Sequence, residues 1–157
     1  MRKIESLREA LVAAYPKLGD NPERLTVFVE RGSCAARMGA QERDGINGFE
    51  YRYTAEAILL DFEGNANAVF IAVLNWLREN QPELLLRQDP EAFAFDADIL
   101  DDRRTDVQIR IELTDAVDIV GGEPVFRDEP SPYSRFEGFE NDPALQRILG
   151  GEDQLAP

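Results

Sequence analysis

Residues 65–82, which read NANAVFIAVLNWLRENQP, constrain the fold more than any other part of this chain. Seven apolar residues recur there at helical spacing, four on one stripe and three on its flanks: Val69, Val73, Trp76 and Leu77, then Phe70, Ile71 and Leu74. A helix that is apolar around most of its circumference must be covered by other elements. We therefore predict a central helix that lies across a sheet, capped by Asn65 or Asn67 and ended by Pro82.

The first residues predict a second helix, which is amphipathic and docks on the sheet by one face. Its apolar residues recur at steps of three and four: Ile4, Leu7, Leu11 and Ala14. Ser6 and Glu9 have the S-x-x-E spacing of a capping box, which predicts that this helix starts near Ser6. Pro16 is expected to end it.

Alternating apolar and polar residues predict strands at residues 25–38, 49–62, 93–99 and 107–113, the last able to extend to Val120. Residues 39–48 have no apolar period and contain the turn-forming pairs Asp44-Gly45 and Asn47-Gly48, which predicts a mobile loop. Residues 101–106 read as a hairpin loop. The predicted fold class is α+β: a single domain with a mostly antiparallel, mixed sheet of about four strands, packed by two helices.

The composition and the spacing of apolar residues change after residue 121. Pro124, Pro130 and Pro132 interrupt any regular element, and the apolar residues beyond this point stand apart. We expect one domain over residues 1–121, followed by an extended acidic arm over residues 122–157. A short helix near residues 143–149 is expected to dock within the arm.

Charge and composition exclude several classes of function. The 157 residues carry a net charge of −14, so their field repels the phosphate backbone of nucleic acid. The chain has one cysteine and no histidine, which argues against a disulfide, zinc and a Cys–His active site. The first residues lack the apolar core of a signal peptide, and no apolar run is long enough to span a membrane, so a cytoplasmic origin is expected.

Two groups of residues could form a metal-binding or catalytic site, but each has a simpler interpretation. Asp96, Asp98, Asp101 and Asp102 could hold a hard cation, as in a small metal-dependent enzyme, yet a solvated strand face has the same composition. Cys34 lies between Arg31 and Arg37, but without histidine a catalytic thiol lacks its usual base, which favours a packed or half-exposed cysteine. We predict no catalytic residue, no metal and no cofactor.

Eight residues are candidates for contacts with a protein partner: Tyr51, Tyr53, Asp44, Asn47, Phe126, Tyr133, Phe136 and Phe139. The tyrosines precede the buried part of their strand, so they could face either a partner or the core. Asp44 and Asn47 lie in the predicted loop. The four aromatic residues of the arm stay unburied unless a neighbour covers them, with a disordered arm or one packed on its own domain as the alternatives.

Several blocks of this sequence resemble one protein family. SLREAL from Ser6, NPERLTVFV from Asn21 and above all WLRENQP from Trp76, with Gly32-Ser33, Tyr53-Thr54 and Asp61-Phe62 between them, are similar to the tail completion protein R (GpR) family of contractile-tailed temperate phages and their prophages. The resemblance covers about residues 6–115. The order of helices and strands also resembles the tail terminators of long-tailed phages, an analogy of fold alone.

The resemblance implies a structural virion protein at the head-proximal end of the tail, assembled in the bacterial cytoplasm. It would complete the tail by capping the tube and the sheath as a homo-oligomeric, hexameric ring, with neck or connector proteins as further partners. DNA would pass through the acidic lumen without specific binding. The alternative within virion proteins is a neck or head–tail connector role.

Overall fold

The computed structural model describes residues 1–89 and 91–127, and these form one α+β domain. Four helices and five strands follow one another in this order: α1 Arg2–Ala14, α2 Lys17–Asp20, β1 Leu25–Met38, β2 Ile46–Phe62, α3 Ala66–Asn80, α4 Glu83–Leu86, β3 Ala94–Ile99, β4 Thr105–Val120 and β5 Glu123–Phe126. Single 3₁₀ turns precede β1 and β2. The predicted α+β class is thus confirmed.

All strand pairs in the sheet are antiparallel, in the order β1-β2-β4-β3, and β5 pairs with β4 beyond the end of β3. Alternate residues of the central strands, such as Ala55, Leu59 and Ile111, are buried beneath α1 and α3. We call this side the helix face and the opposite side the open face. The sheet has one strand more than the sequence predicted, and none of its pairs is parallel.

Helix α3 matches the prediction for residues 65–82. Asn65 caps its start by accepting a hydrogen bond from the Asn67 amide at 2.9 Å, and the helix ends at Asn80, two residues before Pro82. The predicted stripe is buried, but the flank is not fully covered by the described chain, since Ile71 and Leu74 are exposed. The described domain therefore leaves part of the apolar surface of α3 exposed.

The prediction for the start of α1 was wrong. The helix begins at Arg2, so Ser6 lies within it and caps nothing. The Ser6 hydroxyl instead accepts a hydrogen bond from the Trp76 indole nitrogen of α3 at 2.9 Å. A capping box and a tertiary contact place the same residue types on a helix, and the sequence alone does not distinguish them.

Strands β1 and β2 form a long hairpin that is paired from Leu25 opposite Leu59 to Met38 opposite Ile46. The pairing shifts register between Val29 and Arg31, and the side chains at positions 31–36 are all exposed. The turn is shorter than the predicted loop over residues 39–48, because β2 already begins at Ile46. A bulge of this kind increases the local twist of a strand.

Residues 123–126, which the sequence analysis placed in the arm, form strand β5 against Val117–Val120 of β4. Gly121 and Gly122 supply the positive φ angles, +60° and +82°, that the tight turn between the two strands requires. The rest of the predicted arm, with Tyr133, Phe136, Phe139 and the helix near residues 143–149, lies outside the described residues.

Candidate functional site

The predicted contact residues of the hairpin turn are exposed, and both hold the turn together. The Asp44 carboxylate accepts a hydrogen bond from the Gln41 amide at 3.0 Å, and Asn47 accepts one from Arg37 Nε at 3.1 Å. Beside them the cross-strand pair Met38 and Ile46 leaves more than half of each side chain in contact with solvent. The tip of the hairpin therefore presents an exposed surface with an apolar centre.

Tyr53 does not reach the surface of the domain. Its side chain is 2% exposed, and its hydroxyl donates a hydrogen bond of 3.0 Å to Asp115. The Asp115 carboxylate also lies 3.6 Å from the Lys3 ammonium group of α1. Tyr51 is half-buried, and its ring stacks on that of Tyr53 with centroids 5.6 Å apart. Of the two candidate tyrosines, only Tyr51 retains surface that a partner could contact.

Burial, and then the Asp115 carboxylate, raise the pKa of both tyrosines: that of Tyr51 from 10.0 to about 12, and that of Tyr53 further. The folded state therefore keeps two phenolic protons that the unfolded chain loses above pH 10. We expect the stability that these two groups contribute to be fully present below pH 10, and the part due to Tyr51 to be lost as the pH rises through about 12, because unfolding then releases protons.

Denaturant titrations between pH 8 and 11.5, with phenolate absorbance followed in parallel, would measure this effect. The Tyr51→Phe variant is expected to lose less stability over the same pH range than the parent. Tyrosines that all ionise near pH 10 in the folded protein would contradict the prediction.

Gln81 closes a gap in the hydrogen bonding along the edge of β4. Strand β3 covers this edge up to Arg110 and β5 covers it from Val117 onward. In the gap, Gln81 accepts from the Thr114 amide at 3.2 Å and donates to the Thr114 hydroxyl at 2.9 Å. Lys3 donates to both Gln81, at 2.8 Å, and the Thr114 carbonyl, at 2.5 Å. Gln81, together with Lys3, thus forms the hydrogen bonds to Thr114 that a neighbouring strand would otherwise supply.

Phe126, an arm residue in the sequence analysis, belongs to β5 and is half-buried beneath the Arg2 guanidinium group, 4.7 Å from its ring centroid. Nearby, Arg37 of β1 reaches across β2 to the Asp118 carboxylate of β4. Gly48 lies between them in the register, and a Cβ atom there would overlap the Arg37 guanidinium group. The absence of a side chain at Gly48 therefore allows this contact.

Hydrogen bonds from Arg127 first, and then from Arg37, hold the pKa of Asp118 below its usual value. This partly exposed ion cluster joins β1, β4 and the residue after β5. It therefore fixes the end of the long hairpin to the rest of the sheet.

Two carboxylates of the acidic cluster near β3 form contacts within the β3–β4 hairpin. The Asp101 carboxylate accepts hydrogen bonds from the Arg103 and Arg104 amides, both at 2.9 Å, and these and the Arg104 side chain lower its pKa. Asp96 is paired with Arg110 at 2.6 Å. Within residues 1–89 and 91–127, no group of three potential ligands could hold a metal ion. Cys34 is exposed on β1.

The two ends of the sheet are unlike each other. Strand β1 forms one end with the small residues Gly32, Cys34 and Ala36 on its helix face. Strand β3 forms the other end, where Phe95 is 50% exposed and Ile99 is 81% exposed. Between them, the centre of the open face is polar, with cross-strand hydrogen bonds from Thr54 to Glu112 at 2.7 Å and from Gln108 to Glu56.

No local pattern in the sequence predicted the buried polar network of Lys3, Gln81 and Asp115. Gln81 lies within WLRENQP, but its role depends on an edge of β4 that is 33 residues away in the chain. Lys3 and Asp115 are 112 positions apart by number and look like ordinary surface charges on their own elements. In the part of the chain that is described, no helix is both long and apolar enough to cross a membrane.

Comparison with known proteins identifies a family for this chain. The family model of the P2 phage tail completion protein R (GpR) matches residues 1–128 of this sequence. Tail completion protein R of Escherichia phage P2 is 39% identical over 117 residues, which cover 73% of this chain and 72% of that protein. No solved structure matches the chain. The chain therefore belongs to the P2 phage tail completion protein R family, whose members are structural tail completion proteins rather than enzymes.

Proposed function

We propose that this protein completes the phage tail at its head-proximal end, where it caps the tube and the sheath as a ring of about six copies. The observation that carries this proposal is membership of the tail completion protein R family. The unlike ends of the sheet support the ring, because a closed cyclic ring joins two different surfaces of the same subunit.

A cap must contact the end of the tube and offer no further site for tube subunits to add. The tip of the β1–β2 hairpin is suited to the first task, since Met38 and Ile46 form an exposed apolar pair flanked by Asp44 and Asn47. Apolar centres with polar rims are characteristic of protein interfaces. We assign this surface to contact with a tail component.

The charge of the protein is compatible with DNA passing through the ring. The chain carries a net charge of −14, and the open face includes the carboxylates of Glu50, Glu56, Glu112 and Asp98. Such a surface repels the phosphate backbone, so DNA could slide past it without binding. On this view the open face lines the lumen.

Removal of the gene from an inducible prophage tests the proposed role. We expect tails of irregular and excessive length without heads, because tube polymerisation would lack its stop. Negative-stain electron microscopy of the induced particles measures tail length directly, and supply of the intact gene in trans is the control. Tails of normal length that fail to join heads would instead show a neck or connector role.

A further inference from the structure

We propose that the ring is closed by a continuous sheet, in which residues 31–38 of β1 in one copy pair antiparallel with β3 of the next copy. The inference rests on the ring proposed above and names the two surfaces that form it. Each of these two sheet edges, β1 and β3, is paired with another copy of this chain.

The first argument is the direction of the strands. Because neighbouring strands alternate in the order β1-β2-β4-β3, β3 runs opposite to β1. A copy added by translation beyond β1 therefore presents its β3 in the antiparallel sense, with its helix face on the same side. Within the described chain, β1 pairs only with β2 and β3 only with β4.

The second argument is which part of β1 is free to pair. At its start, the Leu25 carbonyl accepts a hydrogen bond of 2.6 Å from Arg8 of α1, so this end is occupied. Beyond the bulge, the side chains at positions 31–36 are all exposed. An exposed strand edge is a template for pairing with another chain. Pairing along β1 beyond the bulge shifts each copy along the strand direction relative to its neighbour. Closed sheets accommodate such a shift by tilting their strands.

The third argument is complementary size. The register that sets Ala97 opposite Cys34 also sets Phe95 opposite Ala36 and Ile99 opposite Gly32. The large exposed residues of β3 then lie beside the smallest residues of β1, all on the helix face. The exposed flank of α3, with Ile71 and Leu74, would be covered by the same neighbour.

The fourth argument is charge. Asp98 of β3 lies directly opposite Asp106 of β4, and like charges in that arrangement destabilise a sheet. In the proposed register between copies, which sets Ala97 opposite Cys34, Arg31 of the neighbouring copy lies diagonal to Asp98 on the open face. A long side chain can reach across this distance. Among the described residues, neither Arg31 nor Asp98 forms an ion pair of its own.

Cross-linking tests this arrangement, because Cys34 is the only cysteine of the chain. The full-length Ala97→Cys variant is assembled on tail tubes, oxidised mildly and run on a non-reducing gel. We expect a ladder of covalent multimers up to the size of the ring, since each copy contributes one cysteine to each of two interfaces. The Phe95→Cys and Ile99→Cys variants sample registers shifted by two residues.

The Ala94→Cys variant is the matched control, because its side chain lies on the opposite face of the same strand and should give no ladder. A ring that forms without any ladder from the three helix-face variants would overturn the pairing and leave the ring intact. Oxidised dimers of the parent, joined through Cys34 alone, would show a two-fold contact instead. Absence of any oligomer, free or on tails, would contradict the proposed ring itself.

Charge reversal provides an independent measurement. The Arg31→Asp and Asp98→Arg variants are each expected to reduce the fraction of assembled ring at least several-fold in mass photometry. The variant with both changes should recover assembly, because the opposite charges again face each other between copies. Equal loss in the double variant would overturn the pairing of these two positions.

Discussion

Replacement of Leu77 by alanine is expected to lower the free energy of unfolding by about 2–5 kcal/mol. Leu77 is fully buried on α3, in the cluster that joins this helix to α1 and the sheet. Removal of its side chain leaves a cavity that the surrounding core can fill only in part. Denaturant unfolding followed by circular dichroism measures the change.

The same helix provides a matched control. Leu74 lies one helical turn earlier and is 38% exposed, so Leu74→Ala should cost about 1 kcal/mol or less. If the neighbouring copy covers this flank, the variant should nevertheless assemble less well than the parent. Equal destabilisation by the two substitutions would contradict the burial described for α3.

Replacement of Asp115 by alanine is expected to cost about 3 kcal/mol, because it removes the acceptor of a buried hydroxyl and the negative partner of a partly buried ammonium group. The Tyr53 hydroxyl would lose its hydrogen bond, and the Lys3 ammonium group would lose its nearby negative charge. Thermal and denaturant unfolding at neutral pH measure the loss.

Two controls separate burial from charge. The Asp115→Asn variant retains an oxygen that can accept from Tyr53, so its loss should be smaller than that of Asp115→Ala. Asp118→Ala removes a partly exposed carboxylate from the same strand and should destabilise the protein less than Asp115→Ala. A loss at Asp118 as large as that at Asp115 would argue against the buried network.

Much of the fold was predictable, because its main signals are local. The apolar period of residues 65–82 predicted α3, its Asn65 cap and its buried stripe, and alternation predicted β1 to β4. The start of α1 was not predictable in the same way, since Ser6 satisfies a capping pattern but contacts Trp76. Strand β5 was missed because Pro124 argues against a strand, yet proline is tolerated at a sheet edge.

The candidate contact surfaces were predictable only in part. Asp44 and Asn47 lie at an exposed turn, as their turn-forming sequence indicates. Tyr51 and Tyr53 have the same spacing and similar neighbours in the sequence, so the sequence left them equivalent. The tertiary packing buries Tyr53 beside Asp115 and leaves Tyr51 partly exposed. The roles of these surfaces as contacts remain predictions.

The sequence by itself determined the family, the α+β class and the helix at the centre of the fold, because periodicity and motif are properties of neighbouring residues. The tertiary structure alone decided that Gln81 of WLRENQP completes the edge of β4 and that Asp115 and Lys3 share a buried network. It also decided that β1 and β3 form the two ends of the sheet. These features depend on contacts between residues far apart in the chain, and no local pattern encodes which distant partner a polar group will meet.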